Sequence, residues 1–153
     1  MNFKYLFFSF LILSIMETTT ASGQNPTNIP ATKKSKILIH ITQGLENPTK
    51  AALGFLIAKT ALEEGHTVDI FLAGDAVKLL QDTVLNSLTG IGTGKLRDHY
   101  DAIVKNNGKF YLSGNSSKAR DVTEADLKGK PAEFAPPTVL LRLSLESDRM
   151  FTY

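Results

Sequence analysis

The side chains with chemical potential concentrate in one short stretch, "FYLSGNSSKARD", Phe110 to Asp121. Ser113 and Ser116 offer hydroxyls, Asn115 an amide and Arg120 a guanidinium. A serine nucleophile needs a placed base. Neither Gly-x-Ser-x-Gly nor Ser-x-x-Lys occurs here, and Lys118 follows Ser116 by two residues, the wrong offset. Ala119-Arg120 suggests a short helical turn whose N–H groups face the loop. Hydroxyls, backbone donors and Arg120 together suit an anionic or polar ligand. The same residues also make an ordinary capped strand-to-helix turn. Asn115-Ser116-Ser117 is in addition a formal N-glycosylation sequon.

Other chemistries are excluded by residue type or spacing. The sequence contains no cysteine, which rules out disulfides, thiolate metal sites and thiol catalysis by this chain. His40, His66 and His99 fall on separate elements with no helical ligand spacing, so no metal site is expected. "TGIGTGKL" fails as a phosphate loop: position 89 is Thr, and Lys95 is followed by Leu96. It fails as a dinucleotide fingerprint as well, and reads as a flexible loop, with no cofactor expected. "TQGLENPT" leads into a helix N-terminus, where Gln43, Asn47 and Thr49 either help to hold an anion or, for Asn47, simply cap the helix. His40 lies near the end of the first strand, with core packing the expected role.

These residues must be positioned by elements. The chain has 153 residues, 42% hydrophobic and 21% charged, which suits one globular domain. Its 17 basic and 15 acidic residues leave a charge of +2 and no basic stripe for nucleic acid. "KKSK", Lys33 to Lys36, is a short solvated run. The amino end, "MNFKYLFFSFLILSIMETTTASG", has the layout of a secretory signal peptide, with cleavage after Ala21 or Gly23. Its apolar run, Leu6 to Met16, is short of the roughly 20 residues of a membrane helix, with an uncleaved anchor as the alternative reading. We therefore expect a signal peptide over 1–23, a flexible linker over 24–35 and a folded domain over 36–153. The mature protein is expected to be secreted or periplasmic, with no membrane attachment.

Within the domain, β-branched runs predict strands at "KILIHI" (36–41), "TVDIFLA" (67–73), "KFYLSG" (109–114) and "DRMFTY" (148–153). Asn47-Pro48 opens a helix with apolar residues at Ala51, Ala52, Phe55, Ala58 and Leu62, ended by Gly65. Further helices are predicted at 76–81, at 95–108 with Leu96, Tyr100, Ile103 and Val104 on one face, from Thr123 with an acidic partner at Asp126, and at 136–147. Strands alternating with helices argue for a mainly parallel sheet covered on both faces. Such sheets place ligands beyond the carboxyl ends of their strands. Three loops qualify: 42–49, 74–77 with Asp75, and 113–120.

"ILIHITQGLENPTKAALGFLIAKTALEEGHTVDIFLAGDAV" is similar to the first half of the DsrE-like (DsrE/DsrF/DsrH) sulfur-relay family, with its Asn-Pro-Thr turn, "ALEEGH" helix end and "FLAGD" strand end. "FYLSGNSSKARD" resembles the family segment Tyr-Val-Cys-Gly-x-Cys-x-x-Ala-Arg-Gly, and "DRMFTY" resembles its ending. The resemblance implies an α/β three-layer sandwich with a mainly parallel five-stranded sheet, assembled as a homo-oligomer, a trimer or hexamer. The family's two cysteines fall on Ser113 and Ser116, and its last glycine on Asp121. In active members a cysteine carries sulfur as a persulfide, which a serine oxygen cannot do. The expectation is therefore an exported, non-catalytic member. It would bind a small ligand or a sulfur-relay partner protein through Gln43, Asn47, Asp75, Ser113, Asn115, Ser116 and Arg120. The alternatives are a structural or regulatory subunit paired with a thiol-bearing homologue, or a serine-dependent hydrolase.

Overall fold

A computed structural model describes residues 33–153. The expected signal peptide, and all but the last three residues of the expected linker, lie outside the described residues. Strand β1 (Lys36–Ile41) leads to helix α1 (Pro48–Glu63) and strand β2 (Thr67–Leu72). A 3₁₀ segment (Gly74–Leu80), helix α2 (Asp82–Ser87), a two-residue hairpin of β3 (Thr89–Gly90) and β4 (Gly94–Lys95), and helix α3 (Leu96–Lys105) follow. Then come β5 (Lys109–Ser113), α4 (Gly114–Lys118), α5 (Glu124–Leu127), β6 (Ala132–Ala135), α6 (Pro137–Glu146) and β7 (Arg149–Thr152).

The main sheet has five strands in the order β6-β5-β2-β1-β7, all parallel. This is the predicted α/β architecture. Its layering follows from handedness. The crossovers β1→β2→β5→β6 all step in one direction, so right-handed connections place their helices on one face. The crossover β6→β7 runs back across the sheet, so α6 lies on the other. Side-chain alternation fits this arrangement. Ile37, Ile39, Ile41, Val68, Ile70, Leu72, Phe110 and Leu112 pack under α1 and α3. Leu38, Phe71 and Ala135 pack with Leu143 of α6.

The predicted apolar face of α1 is buried: Ala51, Ala52, Phe55, Ala58 and Leu62 all face the core. Asn47 caps the helix, its side chain accepting from the Lys50 N–H at 3.2 Å. Leu96, Tyr100 and Ile103 of α3 are buried as well. Phe110, on β5, sits between Phe55 and Tyr100, with ring centroids 5.5 Å from each. At the start of α5, the Asp126 carboxylate accepts from the Thr123 N–H at 2.8 Å.

Three local readings need correction. The fifth strand, β6, comes from "AEFA", which has neither a long apolar run nor β-branched residues and is flanked by prolines. Pairing with β5 makes it a strand, and its edge position tolerates the prolines. The glycine-rich stretch is an ordered hairpin, with His99 Nε2 2.6 Å from the Thr93 carbonyl. The turn placed at Ala119-Arg120 begins earlier, as α4 from Gly114. Gly, Asn and Ser are weak helix formers. The Ser113 cap and the packing of this segment against its neighbours supply what propensity lacks.

Candidate functional site

β5, β2 and β1 are neighbours in the sheet, so the loops leaving their carboxyl ends must meet. Ser113 ends β5 and caps α4, its Oγ accepting from the Ser116 N–H at 3.4 Å. The Ser116 hydroxyl turns toward β2 and accepts from the Gly74 N–H at 3.1 Å. Its own hydrogen remains available to donate. One residue on, Asp75 accepts from Arg120 Nε at 2.8 Å. An Arg120 terminal nitrogen also reaches the Ser116 carbonyl at 3.5 Å. Asp75, Ser113, Ser116 and Arg120 thus form one hydrogen-bonded group that bridges two loops.

The first loop closes against it. A Cβ on Gly44 would stand 2.7 Å from the Asp75 carbonyl oxygen, so only glycine allows this approach. The Gly44 N–H donates to Glu46 at 2.7 Å, and a hollow of about 290 Å³ opens among Leu45, Glu46, Asp75 and Lys78. Thr42 is anchored by its N–H to the Tyr153 carbonyl at 2.9 Å. Gln43 is half-buried on this loop, and Asn47 is engaged as the cap of α1. Asn115 is exposed and lines a different hollow, of about 290 Å³, with Phe134, Pro136 and Pro137.

The electrostatics follow from the ion pair. The Arg120 hydrogen bond holds the Asp75 carboxyl below the usual carboxylate range. Asp75 in turn raises the already high Arg120 value, with a smaller contribution from Glu46. Arg120 retains N–H groups beyond those bound to Asp75 and Ser116, so the pair can still hold an anion. No described histidine hydrogen-bonds to Ser113 or Ser116. His40 lies on the α6 side of the sheet against Phe71, ring centroids 6.0 Å apart, and His99 serves the hairpin. Burial pulls the His40 value down, and its Nε2 has no hydrogen-bond partner among the described residues.

Sequence reasoning singled out the strand ends as the candidate site; of the groups gathered there it did not single out the Gly74 amide, Glu46 or Lys78. A backbone N–H has no side-chain signal. Gly74 did carry one indirect cue, since a Gly directly after a strand points to a backbone turn that side chains resist; its φ is 55°.

An all-parallel α/β sandwich, wound in both directions from β1 and with polar loops gathered at one edge, defines the class. The chain belongs to the DsrE/DsrF-like family, whose model matches residues 35–153. Membership ties the fold to sulfur-relay proteins, and the chain has no cysteine. Among solved structures it is similar to the YchN protein from E. coli, with a TM-score of 0.61 and 12% identity over 79% of this chain and 100% of that one. At that identity the likeness shows the fold. A comparison with curated proteins finds no match.

Proposed function

We propose that this chain is an exported, non-catalytic member of the family. It binds a small anionic or polar ligand, or the sulfur-bearing group of a relay partner, at the carboxyl edge of the sheet. The observation that carries the reading is the state of the reactive-loop position. Ser116 is held by the Gly74 amide, and Arg120 is aimed across it by Asp75. Donors are arranged there, and among the described residues no base hydrogen-bonds to either serine hydroxyl. A bound anion would be met by the Ser116 hydroxyl and the remaining Arg120 N–H groups.

The test is a thermal-shift and calorimetry screen of the intact protein against thiosulfate, a low-molecular-weight persulfide and nucleotides. Binding by at least one, weakened tenfold or more in Arg120→Gln, supports the reading. Silence from all of them removes the small-ligand form of the reading. Labelling by a serine-directed probe, abolished in Ser116→Ala, would favour a hydrolase instead. Export rests on the layout of residues 1–23. N-terminal sequencing of the protein recovered from its native compartment checks it.

A second reading concerns assembly. Leu141 and Leu145 are exposed on α6, and Met150 is exposed on the same face of β7. They support a self-associating protein, with a second copy of this chain seated on that surface.

A further inference from the structure

The face of the sheet under α6 is mixed in character. Leu38, Phe71 and Ala135 pack there against Leu143. Lys36, Asp69, Lys109 and Tyr111 occupy the same face, Asp69 and Lys109 level with Leu38 and Tyr111 level with Phe71, because alternate residues of β1, β2 and β5 fill the opposite core. With Arg142 of α6 they line a cleft of about 270 Å³. This cleft lies at the opposite end of the strands from the loop site.

Asp69 is its floor. It is only 8% exposed, on a strand whose other buried residues are all apolar. No described residue donates a hydrogen bond to its carboxylate. The nearest cation, Lys36 Nζ, stands 3.8 Å away and is itself held by Glu146 at 2.8 Å. Lys109 is the register partner of Asp69 on β5. Neighbouring strands lie about 4.8 Å apart, so a direct ion pair would be within easy reach. Yet the two do not pair, and Lys109 has no ion-pair partner among the described residues. The Asp69 oxygens are not among the sealed, partnerless side-chain atoms of the described residues, so the carboxylate opens onto the cleft and can accept from a bound molecule. Burial pushes the Asp69 carboxyl above the usual carboxylate range, against the pull of Lys36, Lys109 and Arg142. Arg142 engages Glu146 through one terminal nitrogen, at 3.1 and 3.2 Å. Its other N–H groups form no hydrogen bond among the described residues.

We propose that this cleft binds a small zwitterion of the α-amino acid class, with its ammonium on Asp69 and its carboxylate on Lys109 and Arg142. The Tyr111 phenol, on the same strand and face as Lys109, donates or accepts beside it. Lys36, Lys109 and Arg142 against Asp69 and Glu146 leave one positive charge, so an acidic amino acid fits best.

The test is titration calorimetry of the full chain with glutamate and aspartate, with glutarate and methylamine as controls that carry only one of the two charge types. Glutamate or aspartate should bind at least tenfold more tightly than glutarate or methylamine. Asp69→Asn and Lys109→Gln should each weaken that binding tenfold or more. Lys109 is exposed, so Lys109→Gln keeps the test open even if Asp69→Asn folds poorly. A Tm that holds or rises in Asp69→Asn fits a carboxylate retained for a ligand. Equal binding of glutamate and glutarate, no binding of any amino acid, or binding unchanged in Lys109→Gln overturns the proposal.

Discussion

Asp121 holds a φ of 55°, in the left-handed region that L side chains resist and glycine enters freely. It is the position where the related cysteine-bearing segment has glycine. Aspartate tolerates the region better than most residues but still strains there. Asp121→Gly should therefore stabilise the fold by about 0.5–1 kcal/mol, the relief of strain outweighing the added freedom of the unfolded chain. Chemical denaturation measures it, and a destabilised variant would show that the Asp121 side chain contributes something the backbone argument omits. His40 makes a second case. Its folded-state value lies below the ordinary one, near 6.5, because burial disfavours the charged ring. As pH falls through that value the unfolded chain takes up a proton that the native protein resists. Stability is then lost on the acid side. Between pH 7 and pH 5, His40→Gln should lose less Tm than the parent; parallel losses in the two proteins would rule the histidine out as the cause.

The elements show which parts of the sequence carried their own signal. β1, β2 and β5 are short runs dominated by apolar and β-branched or aromatic residues and declare themselves. So does α1, with a cap, a proline and an apolar stripe at helical spacing. β6 does not, since "AEFA" becomes a strand only through the neighbour that supplies its hydrogen bonds. The grouping of side chains at the candidate loop site was legible to the same degree. Asp75, Ser113, Ser116 and Arg120 follow from where the strands end, whereas the Gly74 amide and the partnership of Asp75 with Arg120 depend on loops meeting in space. The amino-end cleft was less legible still, because Asp69 and Lys109 are brought together only by strand register. An aspartate inside "TVDIFL" was the one hint. The meeting of the first two loops is itself testable. A methyl group on residue 44 would press on the Asp75 backbone, 2.7 Å from its oxygen, where no flexible side chain can yield. Gly44→Ala should cost about 1–3 kcal/mol, as overpacked sites do, and weaken ligand binding at the loop site. A variant within 0.5 kcal/mol of the parent, about the spread of neutral surface changes, would mean that the loops part without penalty.

For the molecule as a whole, the two faces of the sheet are unequally covered. Among the described residues, one carries α1, α3 and the segments between β2 and β5; the other carries α6 alone. Sheets of this kind need both faces covered, so the thin side is where further cover is to be expected. Its outer surface matches that need. Leu141 and Leu145, one turn apart on α6, are 62% and 78% exposed, and Met150, which shares the α6 face of the sheet through its pairing with Leu38, is 42% exposed. Ser144 Oγ lies 3.5 Å from Met150 Sδ, which joins helix and strand into one patch. Single exposed apolar residues need no explanation, but a group joined across helix and edge strand suits the interface proposed above. A second copy of the chain offers the same patch in return, so a two-fold contact there would be self-complementary. Leu141→Gln combined with Leu145→Gln should leave Tm within a few degrees of the parent, since neither side chain is in the core. Light scattering should then show the mass falling from that of an oligomer to that of one chain. A parent protein already at the mass of one chain would sink self-association through this face. Recovery of the oligomer only on co-expression with a thiol-bearing homologue would assign the face to that partner instead.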